Sequence, residues 1–179
     1  ELKRLADNQE RLWEENNKIW QEIRSINENI EKLWKEVMDT RHEFTSLSRS
    51  YGGLSEIVGF LVEQNARHYL PNWVREELGT SIDRLRRRVV EGIGEFDGYA
   101  EVNNRVIVTE IKATLRLRDV EDFVNKVNKL RNIVSDREII AIIAYVKEDE
   151  DIGKAIELAR ASGIRVARHF GEDDFEEVA

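Results

Sequence analysis

Apolar positions recur every seven residues along the first 47 of the chain. In heptad letters, position a holds Leu2, Gln9, Asn16, Ile23, Ile30, Val37 and Phe44. Position d holds Leu5, Leu12, Ile19, Ile26, Leu33, Thr40 and Leu47. No Gly or Pro interrupts them. A repeat sustained this long predicts a coiled-coil helix over 1–50, not a single amphipathic helix lying on its own domain. At about 1.5 Å per residue it would reach about 70 Å. The number of strands is open. Asn16 at an a position favours a parallel pair, whereas Ile at both a and d between Ile19 and Ile30 favours three or four strands. Trp13, Trp20 and Trp34 at e widen the stripe, as in a larger bundle or an antiparallel pair. Polar residues followed by Gly52 and Gly53 predict a hinge over 48–53.

Beyond the hinge the pattern changes. Residues 54–70 place Leu54, Ile57, Val58, Leu61, Val62 and Ala66 on one helical face. Pro71 opens a second short helix to Leu78, stopped by Gly79. Residues 81–90 read as a strand, 119–134 as an amphipathic helix, and 138–146 as a strand buried on both faces. A helix over 151–161 ends at Gly163, and 164–167 form a last short strand. The acidic residues 172–179 read as a frayed tail. The predicted fold class is therefore α/β: a mixed sheet flanked by helices over 54–171, preceded by the long N-terminal coiled-coil helix.

Between the first strand and the second helix lies a β-hairpin. Two runs of strand character, 96–102 and 105–109, flank Asn103-Asn104, a pair suited to a type I′ turn. That turn sets a register in which Asp97 faces Glu110 and Glu95 faces Lys112. Alternation puts Phe96, Ala100, Val102, Ile107 and Ile111 on a core face. Opposed carboxylates would stand roughly 5 Å apart between Cβ atoms and repel. A divalent cation would offset the repulsion, and Mg²⁺ typically uses one or two protein carboxylates together with substrate phosphate. Lys112 points to the same side, where it could hold a phosphate or steer a water. The bland alternative is a surface ladder with a Glu95–Lys112 ion pair.

Composition narrows the classes. The formal charge is −8, and 36% of residues are charged. Net acidity argues against non-specific coating of nucleic acid but leaves room for a local basic groove. Arg84, Arg86 and Arg88 would share one face of the first strand, and Arg116 and Arg118 follow the hairpin. These five are the candidate phosphate-backbone contacts. With no cysteine there is neither a disulfide framework nor a thiolate zinc site. No apolar run is long enough to span a membrane and no signal-peptide pattern occurs, so a cytoplasmic location without membrane partners is expected. The charge content leans towards a thermophile. A start at Glu1 is expected of a piece of a longer chain.

Glu-Phe-Asp-Gly at 95–98 followed by Val-Thr-Glu-Ile-Lys at 108–112 resembles the Asp…Glu-x-Lys core of the PD-(D/E)XK, restriction-endonuclease-like superfamily. It is similar in particular to the archaeal Holliday-junction-resolvase-like and RecB-like branches. The likeness covers about residues 54–170. Phe96 stands where a Pro often precedes the first Asp, and the Gln of RecB-like members after the Lys is missing. The resemblance implies a Mg²⁺ (or Mn²⁺) ion held by Asp97, Glu110 and the Ile111 carbonyl. It also implies a catalytic Lys112, and Glu63 of the first helix facing the metal. On residues alone, Glu63 fits equally well as an i, i+4 surface partner of Arg67. The implied activity is hydrolysis of nucleic-acid phosphodiester bonds, on DNA with RNA not excluded, by a homo-oligomer joined through the coiled coil. The alternative is an inactive relative that binds nucleic acid or protein, or a purely structural coiled-coil adaptor.

Overall fold

A computed structural model describes all residues, 1–179. Helix α1, Leu2–Leu78, is unbroken. No break in the helix occurs at 48–53: Gly52, Gly53 and Gly59 remain helical, and Pro71 lies inside the helix instead of opening a new one. Each glycine in an exposed helix costs about 1 kcal/mol relative to Ala, a penalty that long helical flanks absorb. Pro71 removes the main-chain donor that Arg67 would have received. It is tolerated because Leu70, Pro71, Trp73 and Val74 are all buried. The chain divides into two compact units, Glu1–Gly53 and Leu54–Ala179. Every residue of the first is exposed.

The second unit is α/β. Strands β1 (Arg86–Val90), β2 (Gly94–Val102), β3 (Arg105–Leu115), β4 (Glu138–Glu148), β5 (Ile164–Gly171) and β6 (Asp174–Glu177) form one mixed sheet in sequence order. The inner pairs β3–β4 and β4–β5 are parallel and the others antiparallel. Helices α2 (Leu117–Ile133) and α3 (Ile152–Ala161) make the parallel crossovers. One core layer joins Val120, Phe123, Val127 and Leu130 of α2 to Val106, Val108 and Ile143. On the other face Ala66, Leu70, Trp73 and Val74 of α1 pack on Ile107, Ile111, Ile142 and Ala144. Cover on both faces is why the middle of β4 is an uninterrupted apolar run.

Several expectations fail locally. Strand β1 begins only at Arg86, so Arg84 lies in irregular chain. The hairpin turn keeps the expected pairing of Val102 with Arg105. However, of the two turn residues only Asn103 has positive φ (51°), whereas type I′ needs two such positions. The acidic tail is not frayed: β6 pairs with β5, and Ala179 N–H and C=O both bond Val166. Phe175 stacks on buried His169 with centroids 4.2 Å apart, and Glu177 pairs with Arg165. Those contacts outweigh the repulsion among the tail acids.

The main departure is a β-bulge in β2. Arg86 pairs with Tyr99 but Arg88 pairs with Phe96, two residues against three. The extra residue reverses the alternation. Phe96, expected on the face of Ala100 and Ile107, instead joins Tyr99 and Phe123 in the opposite core layer. Its ring meets that of Phe123 edge-on at 6.2 Å. Gly98 permits the bulge, because a Cβ there would collide with Thr109 Oγ1 and sit 3.1 Å from Leu85 Cβ. Gly98→Ala should therefore destabilise the fold by about 1–3 kcal/mol, as overpacking does. Urea denaturation of variant and parent checks this, and equal midpoints would contradict it.

Candidate functional site

The β2–β3 ladder ends where the acids lie. Regular pairing ends at Gly98 with Thr109. The next main-chain donor on that edge of β3, Ile111 N–H, bonds Asp97 Oδ2 at 2.8 Å. A side chain thus takes the place of a ladder partner. The Asp97 carbonyl accepts from Arg67 of α1 at 3.1 Å. Glu95 does not face Lys112 as expected: it pairs with Val89, and its carboxylate sits 2.8 Å from Arg87 Nε.

Glu110 is buried and held from two sides. Its Oε1 lies 2.8 Å from Lys112 Nζ and its Oε2 3.0 Å from Lys126 Nζ. Lys126, on α2, also donates to the Glu95 carbonyl at 2.9 Å. These groups line a cleft of about 380 Å³ between β3 and α2, with Ile93, Asp119, Asn125 and Lys129 around it.

The electrostatics single out Asp97. Burial, and then the charge of Glu110, push its carboxyl up to about 6. The Ile111 N–H and Lys112 act the other way, and Glu63 adds a smaller upward push. For Lys112, burial alone would lower the pKa. The hydrogen bond and charge of Glu110, with Asp97 and Asp119 behind it, reverse that and leave it raised, so Lys112 is a firm cation.

Glu63 is close enough for its charge to be felt at Asp97, but both of its oxygens are engaged. Arg67 lies 3.1 Å from Oε1, and Arg87 forms a fork on the carboxylate at 3.2 and 2.6 Å. Its evident local work is to hold Arg67 on the Asp97 carbonyl. Among the five candidate phosphate contacts, Arg88 pairs with Glu101 at 2.9 Å and covers the Tyr99 ring at 4.3 Å. Arg84, Arg86 and Arg88 line an open groove of about 760 Å³ at the β1 edge with Tyr99 and Glu101. Arg116 and Arg118, at the start of α2, are exposed and face Asp149 and Asp122 at 4.0 and 3.9 Å. Pairs so long and wet hold little energy and leave both guanidinium groups available.

Sequence reasoning missed Lys126 and Arg87; it paired Arg67 with Glu63, as observed, but not with the Asp97 carbonyl. Lys126 had a faint signal: it stands one turn from buried Phe123 and beside buried Val127, at the border of the apolar stripe of α2. Arg87 was passed over because its neighbours share the opposite strand parity.

The question is whether these residues suit a divalent ion. No group of three or more carboxylate or imidazole side chains lies together at ligand separation. Two carboxylates and a carbonyl are instead a donor set for an ion that keeps several waters, as Mg²⁺ does. The N–H and C=O of one extended residue face the same neighbouring strand, so the Ile111 carbonyl shares the Asp97 side. An Asp97 acid held near 6 marks a place where added positive charge is favoured. The set fits.

Fold and site together define an α/β domain with a carboxylate–lysine cluster at the opening of a β-hairpin. Residues 64–174 match a domain family of unknown function, DUF8196, and the chain belongs to that family. The match takes in Arg67, Arg87, Asp97, Glu110, Lys112 and Lys126. No curated protein and no solved structure matches the chain. No helix is long and apolar enough to cross a membrane.

Proposed function

We propose that this chain is a divalent-metal-dependent nuclease of the restriction-endonuclease-like, PD-(D/E)XK kind, hydrolysing phosphodiester bonds of DNA or RNA. The observation that carries this reading is the pressed Asp97 carboxyl in the gap between β2 and β3, with Glu110 and the Lys112 ammonium beside it. Asp97, Glu110 and the Ile111 carbonyl would hold Mg²⁺ or Mn²⁺. When bound, the ion supplies Lewis-acid charge to a phosphoryl oxygen. Lys112 contributes a second fixed positive charge where negative charge develops, and orients the attacking water. Lys126 keeps Glu110 aimed into the cleft, while Glu63 acts through Arg67. Arg84, Arg86, Arg88, Arg116 and Arg118 supply cationic contacts for the phosphate backbone.

A second reading has an observation of its own. Both Glu110 oxygens already meet ammonium groups, so the cluster is charge-compensated without a metal. That favours an inactive nuclease-like module that binds nucleic acid or protein.

Nicking assays on plasmid, branched, single-stranded and RNA substrates, with Mg²⁺ or Mn²⁺ titrated by calorimetry, separate the two. The nuclease reading expects metal-dependent cleavage. It also expects Lys112→Ala to lose about 10²–10³-fold in turnover while keeping most metal affinity. Absence of both cleavage and metal binding at millimolar ion leaves the binding module.

A further inference from the structure

The apolar seam of α1 does not stop at Leu47. On the unbroken helix the same repeat brings Tyr51 and Val58 to a and Leu54 and Leu61 to d. All four are exposed. A helix that presents an apolar seam this long to water needs a partner surface, and the residues flanking the seam say which.

Position g carries Glu15, Glu22, Glu36 and Glu43, whereas position e carries Trp13, Trp20, Trp34 and Arg41 and no acid. In a parallel pair each g residue meets the e residue five positions later on the other strand. Glu36 then meets the partner's Arg41, and no acid meets an acid. An antiparallel pair would instead set the g row of glutamates against its own copy. Asn16 at a is satisfied by its own copy only when the register is exact, which selects one alignment. The a positions Ile23, Ile30, Val37 and Val58 are β-branched and six of the nine d positions from Leu5 to Leu61 are Leu, the combination that favours two strands. The stretch with Ile at both a and d is confined to Ile19–Ile30, and the flanking charges and Asn16 decide against a larger bundle.

We infer that residues 2–61 pair with the same residues of a second copy of this chain, parallel and in register, as a two-stranded coiled coil that runs through Gly52 and Gly53. The pairing is independent of what the α/β domain does.

The absence of cysteine makes the test direct. Leu12→Cys and, separately, Leu54→Cys are made in the full chain and mildly oxidised. A parallel, in-register pair sets each d residue against its own copy, within the 4.4–6.8 Å Cα span a disulfide needs. Both single variants should give covalent dimers, and the parent should sediment at twice the 21.0 kDa chain mass. Glu36→Lys should weaken association at least tenfold, and adding Arg41→Glu should restore it. A monomeric parent, a trimer or larger species, or cross-linking that occurs only when Leu12→Cys is mixed with a cysteine variant at a distant position would each overturn the inference.

Discussion

Asp97→Asn is expected to stabilise the metal-free protein by about 1–3 kcal/mol at pH 8 while removing its divalent-ion response. Folding moves the Asp97 carboxyl from an unfolded value near 4 up to about 6. Between those values the folded state holds the proton and the unfolded state does not. Stability therefore falls as pH rises through that window, and the loss persists above it. A shift of about two units corresponds to at most about 3 kcal/mol, and the upper end of cross-strand like-charge repulsion, about 1 kcal/mol, gives the lower figure. Asn keeps the oxygen that accepts Ile111 N–H, so the ladder opening should survive. The gap between variant and parent should be small at pH 4.5 and full at pH 8 in urea denaturation. Melts with Mg²⁺ should shift the parent and leave the variant unmoved. Curves that run parallel across the whole pH range would show that the carboxyl is not pressed.

How much of this was legible depends on the range of the interactions. The helices α2 and α3 and the strand β4 follow from periodicity, because Val120, Phe123, Val127 and Leu130 or the apolar run at 139–145 encode their faces locally. Gly52-Gly53 does mark the boundary between the two units, but the expected break in the helix there does not occur, for a simple reason. The heptad continues through Tyr51, Leu54, Val58 and Leu61, and that continuity is the stronger signal. The expected register holds from Val102–Arg105 to Gly98–Thr109 and brings Asp97 near enough to Glu110 for its charge to be felt, although the two are not a ladder pair. The bulge in the β1–β2 pairing was not legible, since it rests on the close approach of Gly98 to Leu85 and to Thr109 on another strand. One trace existed in sequence: Phe96 and Tyr99, two large apolar side chains three apart, cannot share a face of a regular strand. Lys126 lies sixteen residues beyond Glu110 and reaches it only through the packing of α2 on the sheet, which no local pattern announces.

The same amide-for-acid exchange at Glu110 should have the opposite sign. Glu110→Gln is expected to destabilise the protein by about 2–4 kcal/mol, because it strands two ammonium groups instead of relieving a repulsion. Lys112 and Lys126 are each about two-thirds or more buried in their side chains, with 32% and 26% exposed, and both point at Glu110. A Gln oxygen can accept from one of them but carries no charge, and its NH₂ would face the other cation. Part of the cost should be recoverable. Lys126→Met in the Glu110→Gln background removes one stranded charge and fits an apolar side chain against Phe96. The double variant should therefore be at least about 1 kcal/mol more stable than the two single effects add up to. Denaturant unfolding of the four proteins at pH 7.5 measures this coupling. If Glu110→Gln falls within about 0.5 kcal/mol of the parent, as exposed surface changes do, the two lysines are solvated rather than committed to Glu110. The cleft between β3 and α2 would then lack the fixed charges on which the proposed chemistry depends.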